Sequence, residues 1–174
     1  MEDILFYTTK GEFGCFTNYS KHSVTIHGIN YIFPTSEHAY QSFKFIPHRM
    51  DLVELIASDP SPKQSGVVGR NKSNPMRDDW EKPISKELVL QYQNVLPKYL
   101  ADIELSKDLF MYVTLHYKFT QHEDIKKVLL STGNRNIIEN SKLDGYWGNF
   151  NDGQNKLGKM LMLLRSELRS SHAS

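Results

Sequence analysis

Cysteine is nearly absent from this chain, and long apolar stretches are absent altogether. Cys15 is the only cysteine among 174 residues, which excludes an internal disulfide and any zinc site built from several thiolates. No apolar run reaches the roughly 20 residues that a membrane-spanning helix needs. The acidic start Met1-Glu2-Asp3 also lacks the basic region that opens a signal peptide. We therefore expect a soluble, cytoplasmic protein without a membrane partner.

Net charge is small as well, because 21 basic residues nearly balance 20 acidic ones to give +1. A near-neutral chain has no overall field that attracts a nucleic acid or a membrane surface, so a polyanion would have to meet a local cluster. Lys72, Arg77 and Lys82 could form such a patch, although charges of this kind are more often a solvated face. No histidine pair has the i, i+4 spacing of a helical metal site, and no serine stands in a nucleophile-elbow motif. The sequence thus predicts no metal and no cofactor.

Length and composition indicate one domain, residues 1–174, with a substantial core. Hydrophobic residues make up 39% of the chain and charged residues 24%, which are ordinary globular proportions. Short β-like runs lie near the start, at residues 4–7 and 24–33. Helical periodicity follows, and it is clearest at residues 108–119, which are apolar nearly all round, and at 156–168. The predicted fold class is α+β, predominantly α-helical, with a small N-terminal β-sheet.

A polar stripe runs along the helix that residues 34–46 predict. Pro34 stops the preceding chain, and a hydroxyl residue after it can cap the first turn. Glu37, Gln41 and Lys44 recur at i, i+4 and i+7, so they share one helix face. A carboxylate, an amide and an amine among aromatic neighbours are suited to lining a cleft. The alternative is an ordinary polar stripe on a half-exposed helix.

Two further segments carry candidate ligand groups. Residues 65–72 predict a glycine-flanked loop, in which Gly69 and Arg70 present a backbone amide and a guanidinium to a phosphate. The alternative is that these glycines only permit tight turns. Residues 143–155, which include Asp144, are denser in glycine, asparagine, acid and aromatic side chains than a connector needs. They lack the glycine that an EF-hand calcium loop requires at its sixth position.

Carboxylates among aromatic rings suit glycosyl chemistry. Departure of a base from ribose leaves positive charge on the sugar ring, which one carboxylate can stabilise while a second group activates water. An amine such as Lys44 could instead capture the C1 aldehyde of an opened ribose as a Schiff base. Tyr146 and Trp147 would stack on a base or a sugar, and Arg70 would hold phosphate.

Seven blocks of the sequence occur in the order of a known family. They are EFGCFTNY (12–19), PTSEHAYQSFKF (34–45), GR (69–70), KF (118–119), LLSTG (129–133), DGYWG (144–148) and NKLGKMLM (155–162). In these blocks the chain resembles the NADAR domain family, the YbiA-like group, over nearly its whole length. Seven ordered blocks are far more specific than any single motif. The resemblance implies a single compact YbiA-like domain.

Members of this family are known for cleaving N-glycosidic bonds. Some act on ribosylated pyrimidine intermediates of riboflavin synthesis, and others remove ADP-ribose from the amino group of guanine in nucleic acid, as antitoxins to a DNA-modifying transferase. The resemblance therefore implies an N-glycosidase that removes ADP-ribose from ADP-ribosylated guanine. A ribosylamino-pyrimidine phosphate of riboflavin synthesis is the alternative substrate, and a non-catalytic module that binds ADP-ribose or NAD is the alternative class.

The resemblance also implies partners and roles for individual residues. The partners are an ADP-ribose-containing substrate, carried on DNA or RNA, and a cognate ADP-ribosyltransferase toxin. The implied catalytic residues are Glu37, Lys44 and Asp144, with Lys44 the candidate for a covalent ribose adduct. The implied ligand-binding residues are Asn18, Tyr19, His38, Gln41, Gly69, Arg70, Tyr146, Trp147 and Asn155. Among these, Trp147 would shape the ribose side of the site with Asp144, and Arg70 the phosphate side.

Overall fold

A buried helix, α5 (Ser106–Gln121), lies at the centre of the computed structural model, which describes residues 2–172. Its side chains are apolar on nearly every face, as the sequence predicts, and Leu109, Phe110 and Val113 are 0% exposed. A helix without a polar face is stable only when other elements cover it on all sides. The buried apolar side chains of the described residues accordingly form one core around it.

Six further helices are present in the described part of the chain. They are α1 (Ser36–Phe43), α2 (Met50–Ser58), α3 (Pro62–Arg70), α4 (Lys86–Tyr92), α6 (Glu123–Ser131) and α7 (Lys156–His172). Helices α1, α6 and α7 pack against α5, and α3 packs against α1. The predicted α+β, predominantly α-helical class is confirmed. None of the helices in residues 2–172 combines the length and apolarity that crossing a membrane requires.

Four short strands form two separate two-stranded sheets within the described residues. They are β1 (Ile4–Phe6), β2 (Val24–Thr25), β3 (Ile32–Phe33) and β4 (Ile137–Glu139). Strands β2 and β3 pair antiparallel, which confirms the β-structure expected in residues 24–33. Strand β1 pairs in parallel with β4, so that Phe6 lies opposite Glu139. The expected N-terminal sheet is therefore two sheets, one of which needs a strand from the last third of the chain.

Two hydrogen bonds fix the first turn of α1, the helix expected in residues 34–46. The side chain of Thr35 accepts the backbone N–H of His38 at 3.4 Å and caps the helix. The carbonyl oxygen of Asn18 accepts the backbone N–H of Glu37 at 3.0 Å. The loop that contains Asn18 is thereby joined to the start of α1.

The expectation of a loop at residues 65–72 is wrong, because α3 runs through most of this segment. Ser61 caps α3 with its side chain, and Pro62 occupies the start of the helix, where its fixed φ is favourable. Gly69 permits close packing of helices and not a turn, because a Cβ at this position would lie 1.9 Å from Gln41 Oε1. Glycine lowers local helix propensity, whereas contact between α3 and α1 requires it here.

A buried carboxylate, Asp108, ties α5 to the loop before α7. Its Oδ1 accepts the Tyr146 hydroxyl at 2.5 Å, and its Oδ2 accepts the backbone N–H groups of Glu104 and Leu105 at 3.1 and 3.0 Å. Lys156 Nζ lies 3.5 Å from Oδ2, and the Lys156 and Asp108 side chains are only 5% and 0% exposed. Removing one partner of such a pair leaves an uncompensated charge in the interior.

We expect Asp108→Ala to lower the free energy of unfolding by about 3–5 kcal/mol, because Lys156 loses its buried counter-charge and Tyr146 loses its acceptor. Urea denaturation followed by circular dichroism measures the change. Asp78→Ala removes an exposed carboxylate and is the matched control, with an expected effect below about 0.5 kcal/mol. A loss below about 1 kcal/mol for Asp108→Ala would contradict the assigned role.

Candidate active site

Helix α1 places three polar side chains on one face, and the fold buries all of them. Glu37, Gln41 and Lys44 are 8%, 5% and 9% exposed, so the alternative of a half-exposed polar stripe is excluded. All three line a cavity of about 680 Å³. This volume lies in the range typical of small-molecule sites.

The carboxyl group of Glu37 is desolvated and held in one orientation. Gln41 Nε2 donates a hydrogen bond to Glu37 Oε1 at 2.8 Å from one helical turn away. Burial raises the pKa of Glu37, while the Gln41 hydrogen bond and the positive charges of Arg70 and Lys44 oppose that rise. A carboxyl group whose pKa is raised by burial and lowered by neighbouring donors and positive charges is suited to stabilising positive charge or to moving a proton.

The amine of Lys44 occupies the same cavity. Its Nζ donates to the carbonyl oxygen of Gly69 at 3.1 Å and lies 5.6 Å from the centre of the Trp80 ring. Burial lowers the pKa of Lys44, and the charge of Glu37 opposes this effect while that of Arg70 adds to it. A lowered pKa increases the fraction of neutral amine, which is the form that adds to a carbonyl carbon.

Three aromatic rings border the polar stripe. The ring centroid of Tyr40 lies 5.2 Å from that of Trp80 and 5.5 Å from that of Trp147. Trp80 is in turn stacked on Phe110 of α5, with centroids 5.7 Å apart and an interplanar angle of 7°. The core thus supports rings whose shape and polarity suit a nucleobase or a sugar.

Asp144 organises the loop before α7 through its own carboxyl group. Its Oδ1 accepts the backbone N–H groups of Tyr146 and Trp147 at 2.8 and 2.9 Å. The two limbs of the loop approach so closely that a Cβ on Gly153 would lie 2.5 Å from the carbonyl oxygen of Gly145. The resulting compact loop brings Asp144 and Trp147 to the cavity.

Eight of the twelve residues that the sequence singles out line this cavity. They are Asn18, Tyr19, Glu37, Gln41, Lys44, Arg70, Asp144 and Trp147. They come from the segment between β1 and β2, from α1 and its C-terminal end, from the last residue of α3 and from the loop before α7. The roles that the resemblance implies for them remain predictions, but the fold brings them together.

The other four residues lie outside the cavity lining. They are His38, Gly69, Tyr146 and Asn155. His38 spans two parts of the protein, because its Nδ1 lies 2.8 Å from Thr35 Oγ1 and its Nε2 lies 2.8 Å from the carbonyl oxygen of Asp59. Gly69 contributes its carbonyl oxygen to Lys44. These contacts favour structural and positioning roles over the direct ligand contact that was expected.

Tyr146 and Asn155 also make contacts within the protein. The hydroxyl of Tyr146 donates to buried Asp108. Asn155 Oδ1 accepts the backbone N–H of Glu139 at 3.0 Å, and its Nδ2 donates to the carbonyl oxygen of Ile137 at 2.9 Å. Asn155 therefore attaches the loop before α7 to strand β4, and the placement favours a supporting role for both side chains.

Several residues that line the cavity are absent from the set predicted from sequence. They include Tyr40, Trp80, Glu81, Lys107 and Glu139. Nothing in the sequence around Glu81 or Lys107 indicated a site, because only the fold brings these two residues together. Lys107 Nζ lies 2.6 Å from Glu81 Oε2. Glu139 ends β4, whose parallel pairing with β1 is likewise seen only in the fold, and functional side chains gather at the carboxyl ends of parallel strands. Tyr7, which follows the parallel partner β1, lines the same cavity.

The carboxyl group of Glu139 has an unusual environment. Its Oε2 is buried and has no hydrogen-bond partner among residues 2–172. Burial, together with the negative charges of Asp144 and Glu37, raises the pKa of Glu139 to about 7. The acidic side chains do not form a metal centre, since no cluster of three or more histidine, cysteine, aspartate or glutamate side chains in the described residues could hold an ion.

This chain is similar to known proteins over nearly its whole length. The NADAR domain family matches residues 5–169. The N-glycosidase YbiA of Shigella flexneri is 31% identical over 172 residues, covering 97% of this chain and 91% of the relative. The riboflavin biosynthesis protein PYRR, chloroplastic, of Zea mays is 32% identical over 178 residues, covering 95% of this chain and 25% of that protein. The NMR structure of E. coli YbiA has 30% sequence identity and a TM-score of 0.75, covering 100% of this chain and 90% of that one.

Replacement of Glu139 by glutamine should stabilise the protein increasingly as the pH rises. The folded-state pKa of about 7 exceeds the ordinary value of 4.5. Between pH 4.5 and pH 7 the folded protein therefore binds a proton at Glu139 that the unfolded chain has lost, so stability falls as the pH rises through this range. We expect the difference in free energy of unfolding to grow in favour of Glu139→Gln by about 2 kcal/mol between pH 5 and pH 8. Urea titrations across this range measure it.

The control for this experiment is Glu54→Gln, which replaces an exposed carboxyl on α2. Its difference from wild type should stay constant over the same pH range, because its side chain stays exposed to solvent in the folded protein. Parallel stability curves for wild type and Glu139→Gln would show that the Glu139 carboxyl is not perturbed by its surroundings.

Proposed function

The chain belongs to the NADAR domain family, and we propose that it removes ADP-ribose from ADP-ribosylated guanine in nucleic acid by cleaving the ribose–nitrogen bond. The general activity, N-glycosidase, has the support of the N-glycosidase YbiA relative, which this chain matches over nearly the full length of both. The observation that carries the proposal is the burial of Glu37 and Lys44 in one cavity with aromatic walls.

The proposed reaction uses the amine of Lys44 as nucleophile. A ribose attached to the amino group of guanine can open to an imine between C1 and that nitrogen. Lys44 Nζ adds to C1, the bond from C1 to the guanine nitrogen breaks, and the nitrogen leaves as an amine after taking up a proton. Water then adds to the lysine imine and releases free ADP-ribose together with the regenerated amine. The carboxylate of Glu37 stabilises the cationic species at C1.

Other cavity residues fit the remainder of such a substrate. Arg70 lies at the exposed end of α3, where its guanidinium can pair with the pyrophosphate. Tyr40, Trp80 and Trp147 supply ring faces for ribose and base. In this proposal the modified guanine reaches into the cavity while the rest of the nucleic acid stays outside, and a cognate ADP-ribosyltransferase toxin supplies the modified base.

A riboflavin-pathway substrate is the second candidate. The observation in its favour is the 32% identity to the riboflavin biosynthesis protein of Zea mays, a likeness as strong as that to YbiA. A ribosylamino-pyrimidine phosphate carries the same bond between ribose C1 and an exocyclic nitrogen, so the Lys44 chemistry would apply unchanged. This compound carries one phosphate, whereas ADP-ribose carries two phosphates and an adenosine.

Loss of either ionisable group on α1 should abolish hydrolysis without unfolding the protein. We expect Lys44→Ala and Glu37→Gln to lower the rate of ADP-ribose release from a guanine-ADP-ribosylated oligonucleotide by at least about 100-fold, because each removes a reacting or charge-stabilising group. Mass spectrometry of the oligonucleotide follows the loss of the modification. Lys127→Ala, at an exposed lysine of α6, is the matched control and should retain wild-type activity.

Borohydride reduction tests the covalent step separately. Wild type treated during turnover should gain the mass of one reduced ADP-ribose adduct at Lys44, and Lys44→Ala should gain none. Hydrolysis by wild type without any trapped adduct would assign Lys44 an electrostatic role. An oligonucleotide that wild type leaves intact would contradict the proposed substrate.

A substrate panel separates the three functional classes. We expect turnover of the ADP-ribosylated oligonucleotide with kcat/KM at least about tenfold above that of a ribosylamino-pyrimidine phosphate, because the second phosphate and the adenosine add contacts that a single phosphate lacks. Single-turnover assays of both compounds measure the ratio. The reverse ratio would favour the riboflavin-pathway role. Calorimetric binding of ADP-ribose that Lys44→Ala leaves unchanged, with no product from either compound, would indicate a binding module.

A further inference from the structure

Four carboxyl side chains line the cavity, and one of them differs from the rest. Glu37 accepts a hydrogen bond from Gln41. Asp144 accepts two backbone N–H groups through its Oδ1, and Glu81 pairs with Lys107 at 2.6 Å. In the part of the chain that the structure describes, Glu139 Oε2 has no partner. Each of the other three carboxyl groups is engaged as an acceptor, whereas Glu139 has a buried oxygen without a partner in the described residues, and such an atom in a native structure calls for an explanation such as a catalytic role.

The backbone holds Glu139 in place although its carboxyl group is not held. Its N–H donates to Asn155 Oδ1 at 3.0 Å. Its carbonyl oxygen accepts the backbone N–H groups of Ser141 and Asn149 at 2.8 and 3.0 Å. It also ends β4, opposite Phe6 of β1. These contacts fix the backbone of Glu139 at the edge of the cavity that its side chain lines.

We propose that Glu139 is a catalytic residue of this cavity, the acid that protonates the leaving nitrogen when the bond from that nitrogen to ribose C1 breaks. The inference rests on the proposed function. When the C1–N bond breaks, its electron pair goes to the nitrogen, which takes the proton of the Glu139 carboxyl. The amine of Lys44 that has added to C1 loses one proton, and this proton returns to the Glu139 carboxylate. Glu139 is therefore unchanged over one cycle.

The electrostatic setting supports this assignment. Burial is the main cause, and the negative charges of Asp144 and Glu37 also contribute, so that the pKa of Glu139 is raised to about 7. A carboxyl group with this pKa carries its proton in a substantial fraction of molecules near neutral pH and can both give and recover it. The other titratable or charged side chains facing the cavity are Tyr7, Tyr19, Tyr40, Lys44, Arg70, Glu81 and Lys107.

The test compares wild type with Glu139→Gln and Glu139→Asp on the guanine-ADP-ribosylated oligonucleotide. We expect Glu139→Gln to lower kcat by about 100-fold or more and to change KM by less than about threefold, because glutamine keeps the shape but has no proton to give. Wild-type kcat should fall above about pH 7, as Glu139 loses its proton. Glu139→Gln should lack this decline, and Glu139→Asp should retain it at a reduced rate. Glu54→Gln is the control and should match wild type.

Carbon-13 NMR of glutamate side-chain carboxyls gives a readout that needs no turnover, with Glu139→Gln used to assign the signal. We expect a titration midpoint near 7 that moves when ADP-ribose is added. Near-wild-type kcat in Glu139→Gln, or a midpoint near 4.5, would overturn the assignment while leaving the proposed function intact. If wild type hydrolyses no compound of the panel, the proposed function fails, and an unperturbed midpoint then removes Glu139 as an acid as well.

Discussion

Burial of an acid and an amine on the same face of α1 is the constraint on which the rest of the site depends. Glu37 and Lys44 are each less than one-tenth exposed, and removing an ionised group from water is costly unless polar partners replace the solvent. Gln41 supplies a donor for the acid, and the carbonyl oxygen of Gly69 supplies an acceptor for the amine. The Gly69 partner depends on the close contact between α1 and α3, which a side chain larger than hydrogen at position 69 would prevent by colliding with Gln41.

The far side of the cavity comes from chain segments distant in sequence, and buried polar contacts hold them together. Asp108 fastens the loop before α7 to the central helix through Tyr146, and Asn155 fastens the same loop to β4. These groups are satisfied within the protein and lie outside the cavity lining. The molecule thus divides its polar residues into those that complete the fold and those whose side chains face a ligand. Glu139 belongs to the second group through its carboxyl and to the first through its backbone.

Most elements of the fold could be predicted because their signals are local. The cap and periodicity of α1, the apolar surround of α5 and the hairpin of β2 and β3 each depend on residues close together in sequence. Helix α3 could not be predicted in the same way, since glycine propensity opposed it and the compensating contact with α1 is distant in sequence. The pairing of β1 with β4 was missed for the same reason: no pattern inside either strand identifies its partner.

The candidate site likewise has parts that could be predicted from the sequence and parts that only the fold reveals. By itself, the amino-acid sequence determined that an acid, an amide and an amine share one face of a helix, and its ordered motifs indicated the family and the N-glycosidic chemistry. Only the tertiary structure decided which polar residues face the cavity, separating Asn18 and Trp147 from His38 and Asn155. It alone showed that Glu139 joins the site with an unpartnered oxygen. The physical reason is that pKa values and hydrogen-bond satisfaction depend on burial and on neighbours from distant segments, whereas helix periodicity depends on the chain alone.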